Sequence, residues 1–246
     1  MDRMIYVAMS GAKETLMAQA NNSNNLANAN ASGFLADLQQ FRSMPVFGDG
    51  FPTRVYSMSE RPGTDFSRGD VKETGRDLDV AIHGDGWFAV QARDGSEAYT
   101  RRGDLQIDSA GRLTIGSGLP VLGDNGPLAI PPAEKIDIAP DGTISVVPVG
   151  QLAQEVVVVG RIKMVSPDQS QLEKGDDGLL RLRNGKRAPA SAEVQLTSGN
   201  LESSNVNIVD AMVDMIELSR RYELQVKMMK TAGDIEESSA SIMRIG

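Results

Sequence analysis

The sequence contains no cysteine, which excludes disulfides, thiol catalysis and thiolate metal sites and leaves the redox compartment open. It has a single histidine, His83, and so lacks the usual histidine-rich zinc site. No apolar run approaches the roughly 18 residues that suggest a membrane-spanning helix. The opening MDRMIYVAMSGAKETLMAQA lacks the apolar block of a cleavable secretory signal. By those signals alone the chain reads as cytoplasmic, with no direct membrane insertion. Basic residues are in deficit, 25 Lys and Arg against 33 Asp and Glu, for a net charge of -8. Such a field repels a phosphate backbone, so nucleic acid is not an expected partner. The phosphate loop Gly-x-x-x-x-Gly-Lys and the nucleophile elbow Gly-x-Ser-x-Gly are also missing. Asn184-Gly185-Lys186 reads as a turn with a basic residue, and the paired acids Asp77/Asp79 and Asp176/Asp177 do not have calcium-loop spacing. The residues therefore point to no catalytic centre, no metal and no cofactor.

What is present is long helical periodicity at both ends. From Ile208, the positions Ile208, Met212, Met215, Ser219, Tyr222, Val226, Met229 and Gly233 follow alternating steps of four and three, the seam spacing of a coiled coil. Glu217 with Arg221 and Glu223 with Lys227 sit four apart, in the order that supports an exposed helix face. Near the start Ile5, Met9, Ala12, Leu16 and Leu26 follow the same spacing, with Asp2 placed to cap that helix and Gly33 to stop it. At about 1.5 Å per residue these helices extend on the order of 40 Å and 55 Å, which calls for partners along their length.

The middle has a different rhythm. Residues 34–68 hold Pro45, Pro52 and Pro62 together with Phe34, Phe41, Phe47, Phe51, Tyr56 and Phe66, rings expected to be buried on the same chain or a neighbour. Residues 69–199 are short β-prone runs separated by Asp-Gly and Asn-Gly turns, including a Val156–Val159 run expected to be fully buried. His83-Gly84-Asp85-Gly86-Trp87 reads as a hairpin turn rather than a site. The expected fold class is α+β, with long N- and C-terminal helices paired as a coiled-coil-like stalk and a central antiparallel β domain. The expected organisation is an N-terminal axial helix over 1–33, a Pro/aromatic linker over 34–68, a central β domain over 69–199 and a C-terminal axial helix over 200–246.

Three regions then carry a family resemblance. Asn25, Leu26, Ala27 and Asn28 with Gly33 and Phe34 are similar to the N-terminal signature of bacterial flagellar axial proteins, the rod and hook subunits. Leu201, Ser204, Asn205 and Val206 with Arg221, Tyr222 and Glu223 resemble their C-terminal signature, and Glu73–Ile82 with Gly84–Val90 and Tyr99–Arg101 resemble the β core between them. Within the family the opening Met1–Tyr6 and the short middle domain look most like the proximal-rod members, with Leu35 and Ala36 standing where many relatives carry a basic residue. The resemblance implies a non-enzymatic structural subunit, exported by the flagellar type III apparatus without a cleaved signal. It implies assembly across the periplasm with copies of itself and other rod proteins into a hollow helical drive shaft, terminal helices innermost. The alternatives from other classes are a distal-rod or hook protein, a non-flagellar coiled-coil adaptor, and a wall-acting enzyme using Glu97 or Asp104 as an acid.

Overall fold

The computed structural model describes residues 4–39, 41–45, 55–59, 63–149 and 156–245. Among these residues the chain forms two α-helices and twenty strands, and the strands make eight small sheets, the largest of five strands. Every strand pairing is antiparallel. This overturns the expected stalk of paired terminal helices standing on a single β domain. The chain divides into two compact units, one of residues 1–29, 36–65 and 206–246 and one of residues 30–35 and 66–205. The helices thus share their unit with the segment 36–65, and the chain passes between the units four times, at 29/30, 35/36, 65/66 and 205/206.

In the first unit, α1 spans Met4–Ala27 and α2 spans Ile208–Ile245. Asn207 caps α2: its Oδ1 accepts the Val209 N–H at 3.0 Å, answering one of the four amides that a helix start leaves unpaired. The two helices pack on small residues. Ala8, Ala12, Thr15 and Ala18 are buried on α1, and the inner line of α2 runs Ala211, Met215, Leu218, Tyr222, Gln225, Met229 and Ala232. Met215, Tyr222 and Met229 belong to the expected seam. Ile208, Met212 and Val226 lie off the inner line and are exposed, as are Met9 and Leu16 on α1.

The cause is close approach. A Cβ on Gly11 would stand 2.8 Å from Nε2 of Gln225. Thr15 Oγ1 donates to Gln225 Oε1 at 3.1 Å, and Asn22 Nδ2 donates to the Ala211 carbonyl at 2.6 Å. Alanine, glycine and these polar bonds fix a register that large apolar knobs would hold apart, so two stripes of similar spacing compete and the smaller one faces inward.

Among the described residues of the segment 36–65, Phe41–Pro45 pairs with Val55–Ser59 and Asp37–Leu38 with Gly63–Thr64, and the strands Val55–Ser59 and Asp37–Leu38 lie against α1. Asn25 Nδ2 donates to the Asp37 carbonyl and Asn25 Oδ1 accepts the Asp37 N–H, both at 2.9 Å, so the side chain completes that strand's hydrogen bonding as a neighbouring strand would. The side chains of Phe41, Phe47, Phe51 and Tyr56, like Asp2, lie outside the described residues.

The second unit is organised by the strand Trp87–Gln91, whose alternating side chains serve two cores. Phe88 and Val90 point into a cluster with Val80, Leu105, Leu113, Ile115, Val121 and Ile144, all essentially inaccessible. Trp87 and Ala89 point into a second cluster with Leu35, Tyr99, Val165, Leu172, Leu180 and Ala188. The adjacent strand Glu97–Thr100 divides likewise, with Ala98 in the first cluster and Tyr99 in the second.

The expected buried run Val156–Val159 is corrected. Val157–Arg161 is a strand paired on one side with Thr143–Val146, and Val156 and Val158 are 58% and 64% exposed. A continuous apolar run has the same pattern whether it lies in a sheet interior or along an edge.

Candidate functional site

The two chain-end signatures converge in the second unit on one buried glutamate. Glu202 closes the strand Asn200–Glu202, which pairs with Val71–Glu73. Its Oε2 accepts from Arg101 Nη1 at 2.9 Å, and both side chains are nearly inaccessible, 2% and 4% exposed. Its Oε1 accepts the Gly69 N–H at 3.2 Å, and its carbonyl accepts the Gly33 N–H at 2.8 Å. Arg101 is held in turn: Nη2 donates to the Gly84 carbonyl at 2.9 Å, and the guanidinium lies 4.9 Å over the Trp87 ring, where the π face attracts a cation. Two carboxylate oxygens and a guanidinium are thus paired out of water, which is what allows charges to be buried at all.

The glycines here are required by space. Gly33 adopts φ +61°, and a Cβ on it would stand 2.3 Å from the Arg101 carbonyl carbon; on Gly69 it would stand 1.9 Å from the Ser203 carbonyl oxygen. Beside them Asn205 N–H donates to the Phe34 carbonyl at 3.2 Å, and Asn205 Nδ2 donates to the Ser67 carbonyl at 3.0 Å. Leu35, where the sequence departs from many relatives, is buried in the second core, and Lys174 Nζ donates to its carbonyl at 2.8 Å while sitting 4.3 Å over the Phe34 ring. The incoming and outgoing chain are therefore knitted to each other and to the β unit.

The sequence-derived residues fall into three places. Gly33 and Phe34 with Leu201, Ser204 and Asn205 meet at this clasp, where Ser204 is buried. Asn25, Leu26, Ala27 and Asn28 lie at the end of α1 and in the turn after it; Asn28 Nδ2 donates back to the Asn24 carbonyl at 2.9 Å. Arg221, Tyr222 and Glu223 lie mid-way along α2, Tyr222 on its inner line and Arg221 paired with Glu217 at 3.3 Å. Of the seam residues, Ile5, Ala12, Leu26, Met215, Tyr222 and Met229 are buried or half-buried, whereas Met9, Leu16, Ile208, Met212 and Val226 are exposed. Glu202 and Arg101 fall within the stretches that carry the family resemblance, but sequence reasoning gave neither them nor Gly69 a role in a site. The available signal was an acidic residue at the inward position of a β-prone stretch, opposite a lone arginine in another.

The carboxylates considered as catalytic acids are engaged elsewhere. Glu97 accepts from Lys163 Nζ at 2.7 and 2.9 Å and from the Tyr99 hydroxyl at 3.0 Å. Asp104 takes two hydrogen bonds from Arg102 at 2.7 and 2.8 Å, an arrangement that raises the Arg102 pKa further. Burial pushes the Tyr99 hydroxyl up to about 12 while it accepts the Ala188 N–H at 2.7 Å. Turn aspartates are held below their ordinary range by donors of their own turns, Asp108 chiefly by the Arg112 N–H and Asp141 by the Thr143 hydroxyl. The depression between Phe34, Trp87, Arg101 and Lys174 holds about 20 Å³, room for about one water. Among the described residues no cluster of three or more His, Asp or Glu is placed to hold a metal, and no helix is long and apolar enough to cross a membrane.

Comparison with known proteins bears on the family. Residues 197–242 match a family model described as the C-terminal part of flagellar basal body rod FlgEFG proteins, and residues 81–146 match the flagellar hook protein FlgE/F/G D1 domain. Over 240 residues the chain is 46% identical to flagellar basal-body rod protein FlgF of Escherichia coli (strain K12), covering 95% of each. It is 43% identical to FlgF of Salmonella typhimurium over 96% of each, and 30% identical to flagellar basal-body rod protein FlgG of Bacillus subtilis (strain 168) over 98% of this chain and 99% of that one.

Proposed function

The chain belongs to the flagellar basal-body rod protein family, and on that premise we propose that it is the proximal-rod subunit. It polymerises with copies of itself and with other rod proteins into the hollow helical shaft that transmits torque and encloses the export channel. The observation that carries the reading is 46% identity to the rod protein FlgF over 95% of both chains, against 30% to the rod protein FlgG over nearly full length. The FlgF type is therefore favoured over the other rod types and over an adaptor unconnected with flagella.

The role is structural and needs no cofactor. Export proceeds through the flagellar type III apparatus without a cleaved signal, and the assembled protein resides in the periplasm-spanning rod. For assembly the chain uses its axial ends, residues 1–33 and 200–246, with 34–68 as connecting segment and 69–199 as the β body. The exposure of the apolar residues Met9, Leu16, Ile208, Met212 and Val226 along the two helices supports their use in assembly, where a partner would take their side chains out of water. Methionines among them adapt to the non-equivalent neighbours of a helical stack.

Imaging basal bodies from a strain deleted for this gene tests the layer. Assembly stopping at the base of the rod, and restored by the intact gene, is the expected result. A rod of normal length without the protein overturns the proximal assignment, and intact motility overturns the rod reading altogether.

A further inference from the structure

We propose that Glu202 is a positioning residue, whose carboxylate and carbonyl fix the place where the terminal segments leave the β unit and so decide whether a folded subunit is competent to enter the rod. The inference rests on the rod reading and adds a residue to it.

Three donors converge on this one side chain and its carbonyl, the Arg101 guanidinium, the Gly69 N–H and the Gly33 N–H. Gly33, Gly69 and Glu202 each stand within a few residues of a passage between the units, at 35/36, 65/66 and 205/206. Arg101 comes from the β body and is itself fixed by the Gly84 carbonyl and the Trp87 ring. The glutamate therefore joins three departing segments to one anchor. The fit tolerates no shift, because Gly33 and Gly69 already stand where a methyl group would collide with Arg101 and Ser203 backbone.

A buried ion pair is a poor device for stability alone. Apolar residues of similar volume commonly match or exceed it, and what charge pairing adds is one permitted arrangement. Two buried oxygens facing two distinct donors accept one register of these segments; an apolar plug accepts several.

The test uses the full-length chain in the deletion strain, with Tm of the purified protein measured in parallel. E202Q keeps the shape and removes the charge, and its Tm is expected to fall by roughly 10 °C; V146A, in the first core and remote from the clasp, serves as a variant of matched loss. The expected result is that V146A forms rods and E202Q does not. The double variant R101M/E202M is expected to regain most of the Tm and still to form no rods, which a merely stabilising role does not produce. Rods formed by E202Q, rods lost equally in V146A, or rods recovered together with Tm in R101M/E202M each overturn the proposal. Failure of the intact gene to restore rods overturns the rod reading itself.

Discussion

The two units bury opposite kinds of side chain. In the β unit the inaccessible positions are large, Phe88, Tyr99, Leu105, Leu113 and Ile144 among them, and the strands alternate to fill two cores. In the helical unit the buried positions are small, Ala8, Ala12, Ala18, Ala211 and Ala232, while Tyr6, Met9, Leu16, Val209, Met212, Ile216 and Leu224 face outward. Removing large apolar surface from water is the dominant favourable term in folding. The β unit collects it within one chain, and the helices leave a larger share of it exposed. That exposed share is what the proposed assembly would cover.

Variants that exchange these roles break or sharpen the contrast. The largest effect is expected from Phe88→Ala, which empties the first core of the β unit and costs about 3–5 kcal/mol in chemical unfolding followed by Trp87 fluorescence. Next comes Tyr99→Phe, which leaves the buried Ala188 N–H without its acceptor at a cost of about 2 kcal/mol. That variant also has a pH signature. The folded pKa of about 12 lies above the ordinary 10, so the contribution is fully present below pH 10 and is lost as pH rises towards 12, because the unfolded tyrosine ionises first. Melting curves across that window should fall less steeply for Tyr99→Phe than for the natural chain; identical slopes would refute the assignment.

A smaller loss, about 1–2 kcal/mol, is expected for Ala12→Leu, which wedges the closely packed helices apart. Helical circular dichroism on heating measures it, and an unchanged melt would mean that the inner line does not pack as described. The smallest effect on the isolated chain is expected for Val226→Asp, within about 0.5 kcal/mol because the side chain is 41% exposed. The same change should abolish rod formation by placing a charge where a neighbour docks. Motile cells carrying it would remove Val226 from the assembly face.

What the sequence discloses follows the same division. The helix of Ile208–Ile245, the strand Trp87–Gln91 and the strand Leu105–Ile107 stand where periodicity and turn residues put them, since local pattern and local structure coincide there. The inward face of the helices was legible only in part, at Ala12, Met215, Tyr222 and Met229: the Met9/Leu16 and Ala8/Thr15 stripes have similar spacing, and bonds such as Asn22 to Ala211 choose between them across most of the chain's length. The valines of 156–159 misled for a related reason, their burial depending on a strand partner and not on their own composition. At the clasp, Gly33, Phe34 and Asn205 were legible through family resemblance. Glu202 lay within the same resembling stretch, but its role was not legible, because an acid in a strand reads as solvent-facing until its arginine, a hundred residues away in sequence, is brought to it.

The clasp also matters for mechanics within the β unit. Hydrogen bonds from Gly33 to Glu202 and from Asn205 to Phe34 run side by side between the two segments. A pull on either segment therefore loads several bonds together, and the pair resists shear where a single bond would peel.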